Sequence, residues 1–460
     1  MAPKRAITTH EPVVKRKASL VVSLLPSLSP LVDRNKEIPK PKQKSEAIKK
    51  ETQVWFDFIK SVNVGINIKI LNAISRVPNT FSINLKLNII KEQSKSKISN
   101  NLNLKINKDW LFGYFSYEKK SKWNHIQQNK HLPFNCHDLC FFIPQKIWLL
   151  KSNKLTALYF SDDNSEDDFN SILNQKNVFK DLKISNGINS RITKSEYLNN
   201  ASKIKNHILR GDIYEVNYCF EYYAEDVNLN SSNLFYKLNK LTKSPFSAYF
   251  NIDGINLICT SPERFLKKIN NDLISQPMKG TMERKSMKTF DMQEAKILKK
   301  NPKEFSENVM ITDLVRNDIS RIAEKGSVVV DEQCGVYPFN HVYQMISTVK
   351  AKCKRDITNL DIIDACFPMG SMTGAPKQRA MEIINKYEAS QRGIYSGAVG
   401  YFNPNGDFDF NVVIRSIIYD LKSKYLSFHV GSAITAKSNL ENEFDECELK
   451  AQTIKKVFGI

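Results

Sequence analysis

At 460 residues, 41% of them hydrophobic, the chain is long enough for roughly three domain-sized units, or one large two-part fold, around a sizeable core. Its 68 Lys/Arg against 48 Asp/Glu give a net charge of +20, which ordinarily points to a polyanionic partner. Here the lysines are spread through an Asn- and Ile-rich sequence, which argues against nucleic acid, and no apolar run nears the ~20 residues that cross a bilayer.

Residues 1–50 hold 12 Lys/Arg, 4 Asp/Glu and six of the 17 prolines, so +8 of the excess lies there. They read as a disordered basic extension; Glu11 and the prolines argue against an amphipathic transit helix. Residues 51–185 read as an N-terminal region of mixed helices and strands. Within it, Trp110-Leu-Phe-Gly-Tyr-Phe-Ser-Tyr-Glu118 predicts a core strand, with Gly113 where a second backbone approaches. Cys136, Cys140, His131 and His137 cluster, but their spacing fits no common zinc site. With no Cys-x-x-Cys pair, the eight cysteines suit buried thiols in a reducing compartment, the cytoplasm. The acidic run Asp162–Asp168 reads as a loop that starts a linker.

Residues 193–458 change character, with ten of the 16 glycines lying between Gly280 and Gly431. A helix is predicted over Lys194–Leu209 and a strand follows Gly211-Asp-Ile-Tyr-Glu-Val-Asn217. Alternating strands lead to Ser261-Pro-Glu-Arg-Phe265, then to a strand over Asn270–Gln276. The next stretch, Pro277-Met-Lys-Gly-Thr-Met-Glu-Arg284, predicts a turn in which Gly280 lets the backbone bend beside Lys279. Alone, Lys-Gly in a turn is an ordinary surface feature. In a cleft, desolvation would favour the neutral amine and make it a nucleophile.

Asn301, Pro302 and Glu304 signal a helix start with a capping box, and Glu304 and Glu307 share one face. A second helix is predicted from Ser438 with Glu441 in the capping position. Its apolar stripe is Leu440, Phe444, Cys447, Ala451 and Ile454, beside a stripe of Glu443, Glu446 and Lys450. Such carboxylate pairs ordinarily line solvated faces; four converging would hold a hard cation, Mg²⁺.

Taken together, these motifs resemble the chorismate-utilising enzymes, which include the large subunits of anthranilate and aminodeoxychorismate synthases and the isochorismate and salicylate synthases. The resemblance runs from about Gly211 to Ala451. It rests on the Ser261 and Pro277 motifs, Glu304-x-x-Glu-Asn-Val-Met-Ile-Thr-Asp-Leu-Val-Arg-Asn-Asp318, and Phe367-Pro-Met-Gly-Ser-Met-Thr-Gly-Ala-Pro-Lys377. Tyr395-Ser-Gly-Ala-Val-Gly400 and Glu443-x-x-Glu-x-x-x-Lys450 complete it. It implies an α/β (α+β) fold of two stacked, largely antiparallel sheets with the site in a cleft. It also implies Mg²⁺ held by Glu304, Glu307, Glu443 and Glu446, and chorismate carboxylates bound by Arg415, Tyr395, Ser371, Lys450 and backbone near Gly431.

Within the family, lysine in the Pro-x-Lys-Gly-Thr motif is similar to the aminating members that form 4-amino-4-deoxychorismate for 4-aminobenzoate and folate. Anthranilate synthases typically carry alanine there, and anthranilate formation is the alternative. The resemblance implies that Lys279 attacks C2 of chorismate while Glu263 protonates the departing C4 hydroxyl. Ammonia from a partner glutamine amidotransferase subunit then displaces the lysine, an amination of the transaminase class. Three positions depart from the family pattern: Glu215 replaces a usual Gln, Gln344 a histidine, and Ala433 a glycine.

Overall fold

Ten of the eleven residues of the strand Tyr425–Thr435 are buried, as are nine of the ten in Glu215–Ala224. A strand covered on both faces must sit between layers, and the near-continuous apolar runs of this chain meet that need. The computed structural model describes residues 186–460 apart from 285–287 and 340–341, and much of 109–173. It also describes the strands Lys17–Ser23, Ile68–Leu71, Asn79–Asn84 and Asn88–Glu92.

The strands form one 12-stranded and one 10-stranded sheet, with antiparallel pairing throughout, so the fold is the expected one of two antiparallel sheets with surrounding helices. The main core lies between them. Phe250, Leu257 and Cys259 of the larger sheet meet Phe112, Phe115, Phe141, Phe410 and Val349 of the smaller. Tyr114 contacts Phe250 edge-on across this seam at 5.4 Å. A second core packs the helices Lys194–Leu209 and Leu440–Lys455 onto the outer face of the larger sheet through Tyr197, Phe220, Val430 and Cys447.

The regions before and after residue 185 share both sheets. Leu111–Phe115 pairs with Ala398–Phe402, and Ile68–Leu71 with Phe246–Ile252. At the first of these ladders Gly113 faces Gly400, and a Cβ on Gly113 would lie 2.1 Å from the Cys140 carbonyl. That is the close backbone approach expected of this glycine.

Several boundaries differ from expectation. The run predicted from Asn270 becomes the strand Asp272–Gln276, with Asn270 in a left-handed turn before it. Residues 165–168 of the acidic run lie in the helix Ser165–Leu173, where acids in the first turn suit the helix dipole. Cys136 and Cys140 are buried free thiols, while His131 lies outside the described residues. Among the described residues no helix is long and apolar enough to cross a membrane.

Residues 17–23 correct the reading of 1–50 as structureless: they pair antiparallel with Lys154–Tyr159 at the outer end of the larger sheet. The rest of that stretch lies outside the described residues. Starting the chain near Lys50 removes this strand, so the truncated protein is expected to melt a few degrees lower. Ammonia-dependent turnover should persist, because Glu215–Ala224 lies toward the opposite end of the sheet. Calorimetry with parallel rate assays checks this; an unchanged melting temperature would show that the strand adds nothing.

Candidate active site

Lys279 lies on the strand Met278–Glu283, not in the turn expected from its Lys-Gly pair. Gly280 takes φ +96°, and the ladder to Val342–Lys352 breaks register between Met278 and Thr281. A bulge of this kind re-aims the neighbouring side chain. The glycine also makes room for another residue: a Cβ there would stand 3.2 Å from Glu304 Oε2. Asn308, on the helix Pro302–Ser320, donates to the carbonyl oxygens of Lys279 at 3.1 Å and Met345 at 3.2 Å. One buried amide thus fastens the lysine strand to the helix that carries Glu304 and Glu307.

Lys279 Nζ lies 3.1 Å from Glu215 Oε1, with only 12% and 1% of the two side chains exposed. Burial by itself would drive the ammonium toward the neutral amine. The carboxylates of Glu215, Glu307 and Glu263 more than offset it and hold the lysine above the usual range. The expectation of an amine made neutral by desolvation is therefore corrected. Lys279 rests as an ammonium, and its use as a nucleophile requires that a proton be taken from it.

Glu263 is buried, and burial raises its carboxyl to about 7, with the Ser371 hydroxyl and Lys279 limiting the rise. Ser371 Oγ donates to Glu263 Oε1 at 2.7 Å. A carboxyl poised there can give and take protons at neutral pH. Ser371, expected beside the substrate, has Glu263 as its partner in this structure.

Asn301 caps the first acidic helix through the amides of Lys303 at 3.0 Å and Glu304 at 3.4 Å. Glu304 does not close a capping box; its side chain packs at Gly280 instead. The second helix runs Leu440–Lys455 and is capped by Asn439, one residue later than expected. It brings Glu443, 2% exposed, within 2.8 Å of Lys303 Nζ, while Glu307 Oε1 lies 3.8 Å from that ammonium. The buried Glu307 Oε1 has no hydrogen-bond partner. Burial lifts the Glu307 carboxyl to about 8, Lys279 opposing and Glu215 adding. Burial also raises Glu304, with Lys303 opposing and Glu446 and Glu443 adding. At the exposed rim, Lys450 lies 2.6 Å from Glu446 and, against the push of burial, holds its carboxyl below the usual range. The same ammonium donates to the Gly431 carbonyl at 2.7 Å. As placed, no three metal-ligating side chains among the described residues close into a ready cluster.

Arg415 sits in a left-handed turn, its carbonyl accepting from the Thr260 hydroxyl at 2.8 Å. Burial lowers its pKa, with Glu446 and Tyr395 opposing. Tyr395 is buried and stacks on His429 with ring centroids 5.0 Å apart. The sequence-derived residues therefore meet in one region, linked by ion pairs, hydrogen bonds and mutual electrostatics. At the other two departures, Gln344 accepts from the Thr281 hydroxyl at 3.1 Å, and Ala433 is buried.

Residues 59–456 match the family described as chorismate binding enzyme. The chain belongs to that family. Its curated relatives include a probable chloroplastic aminodeoxychorismate synthase of Oryza sativa subsp. japonica, 38% identical over 268 residues; the match covers 58% of this chain and 30% of the relative. Anthranilate synthase component 1 of Neisseria gonorrhoeae is 30% identical over 363 residues, covering 75% and 73%. Among solved structures, anthranilate synthase component I of Streptococcus pneumoniae superposes with a TM-score of 0.72 at 24% identity, covering 83% and 92%, and shows the shared fold. The chain spans about a third of the length of the curated relatives it matches first.

In this chorismate binding enzyme three side chains at the site had no role assigned from sequence. Asn308 fastens the lysine strand, His429 backs Tyr395, and Lys303 stands between two carboxylates. Asn308 was legible in principle, as an amide inside a helical motif. Lys303 and His429 gave no such signal.

Proposed function

We propose that the chain acts as the large subunit of an aminodeoxychorismate synthase, converting chorismate and ammonia into 4-amino-4-deoxychorismate. The observation that carries the reading is Lys279, an interior lysine bulged out of its strand against a buried carboxylate, with Glu263 exerting its charge on the same ammonium. The name of the rice relative supports it. The longer match to anthranilate synthase component 1 favours the second reading, formation of anthranilate.

In the proposed reaction Lys279 gives up a proton to Glu215, 3.1 Å away, and adds to C2 of chorismate; the proton returns when the lysine amine is later expelled. Glu263, protonated in part at neutral pH, delivers a proton to the C4 hydroxyl, which leaves as water. Ammonia then adds at C4 and expels the lysine amine, and Glu263 recovers a proton from the new ammonium. The amine donor is glutamine, cleaved by a partner amidotransferase subunit. Arg415, Tyr395, Lys450 and the backbone at Gly431 supply hydrogen-bond donors and positive charge for the dianionic substrate. The eight buried free thiols suit a reducing compartment such as the cytoplasm.

The acidic residues fit Mg²⁺. They are hard oxygen donors drawn from two helices, and one buried Glu307 oxygen has no hydrogen bond. Glu304, Glu307, Glu443 and Glu446 would hold the ion, which would neutralise part of the substrate's charge. Glu304→Gln or Glu446→Gln should move the Mg²⁺ dependence of turnover to higher concentration, by about tenfold or more for a lost charged ligand, with little change in melting temperature. An unshifted titration would make these ordinary surface acids.

Incubation with chorismate, Mg²⁺ and ammonium, followed by chromatography, tests the function. The 4-amino-4-deoxychorismate product is expected, and fluorescent anthranilate in its place would establish the second reading.

A further inference from the structure

Lys303 reaches a buried carboxylate on each of the two acidic helices. Its Nζ lies 2.8 Å from Glu443 Oε1 and 3.8 Å from Glu307 Oε1, and Glu304 is its chain neighbour. The two partners are sealed, with 2% and 9% of their side chains exposed, whereas the lysine keeps 35%. It therefore reaches in from the rim on a flexible four-carbon stem and can withdraw to water without unpacking the core. An ammonium and a divalent cation cannot share these oxygens, because at such distances the two positive charges repel each other.

We propose that Lys303 is a built-in counter-ion that a divalent cation must displace, so that this side chain sets the metal affinity of the site. The inference rests on the Mg²⁺ reading above. In the absence of metal the lysine balances part of the charge of Glu307 and Glu443, which lets these two carboxylates face each other. On metal entry it moves out to solvent, and both carboxylates pass to the metal.

Calorimetric titration of the full chain with Mn²⁺, without chorismate, tests this in the wild type, Lys303→Met and Lys303→Arg. Lys303→Met is expected to bind about tenfold tighter or better, since it removes the competing charge. Lys303→Arg, which keeps the charge, should stay near the wild type. Equal or weaker binding by a folded Lys303→Met protein would overturn the proposal while leaving the metal reading intact. Absence of binding in every variant would remove both. Should Lys303→Met not fold, labelling of the wild type with an amine-acylating reagent serves instead, read by peptide mass spectrometry. Mg²⁺ is expected to raise modification of Lys303 several-fold, and unchanged labelling at saturating Mg²⁺ would overturn the displacement.

Discussion

Lys279→Ala is expected to abolish formation of 4-amino-4-deoxychorismate from either glutamine or ammonium. The loss should be on the order of 10³-fold or more, as when other catalytic nucleophiles are removed. The substitution takes away the only group the proposed mechanism allows to add at C2. It also leaves Glu215, 1% exposed, without its cation at 3.1 Å. Removing one partner of a buried pair costs about 3–5 kcal/mol, so circular dichroism and a melting curve must accompany the assay. A folded Lys279→Ala protein that retains the wild-type rate would remove the covalent route. A variant that makes anthranilate while losing the amino product would show the lysine to be a product selector.

Glu263→Gln is expected to lower turnover by about 10²- to 10⁴-fold, the usual worth of a positioned acid–base group. In the native enzyme the rate should fall as pH rises through about 7, where burial has placed this carboxyl and where it surrenders the proton the leaving hydroxyl needs. The substitution should act on stability with the opposite sign to its action on turnover. The folded carboxyl titrates near 7 against an ordinary 4.5, so the folded state holds a proton that the unfolded chain releases. Stability is then lost as pH rises from about 4.5 to about 7, and above that range the charged form carries the full penalty. Glutamine carries none, so Glu263→Gln should be the more stable protein at pH 8, by up to about 3 kcal/mol. A variant both slow and more stable identifies a functional strain; one that is slow and less stable identifies a structural residue.

Much of the fold was legible because local signals and burial agreed. The helix Lys194–Leu209 was read to the residue, since Thr193 and Glu196 form its capping box and its apolar period is regular. The strand around Gly113 is legible from its aromatics, the first acidic helix from its Asn301 cap, and the second from its apolar stripe, although its cap is Asn439 and not Ser438. The misses at Lys279 and Glu304 share a cause: each depends on a partner far away in sequence. At Lys279 the Lys-Gly pair carries the local signal of a turn. Only pairing with Val342–Lys352 makes it a bulged strand. Glu304 was given a capping role that its neighbours in sequence suggested, whereas Gly280 draws it into the cleft. The charge on Lys279 is hidden from the sequence for the same reason. Desolvation can be guessed from a motif, but Glu215, Glu263 and Glu307 come from three separate parts of the chain, and their sum decides the sign.

The central claim is that Lys279 becomes covalently joined to the substrate on the way to an aminated product. Mass spectrometry of the full chain mixed with chorismate and Mg²⁺, with ammonia and glutamine withheld, tests it most directly. The result expected is a protein–substrate adduct mapped by peptide digestion to Lys279, absent in Lys279→Ala and discharged to 4-amino-4-deoxychorismate when ammonium is added. Unmodified Lys279 in enzyme that goes on to aminate chorismate would contradict it.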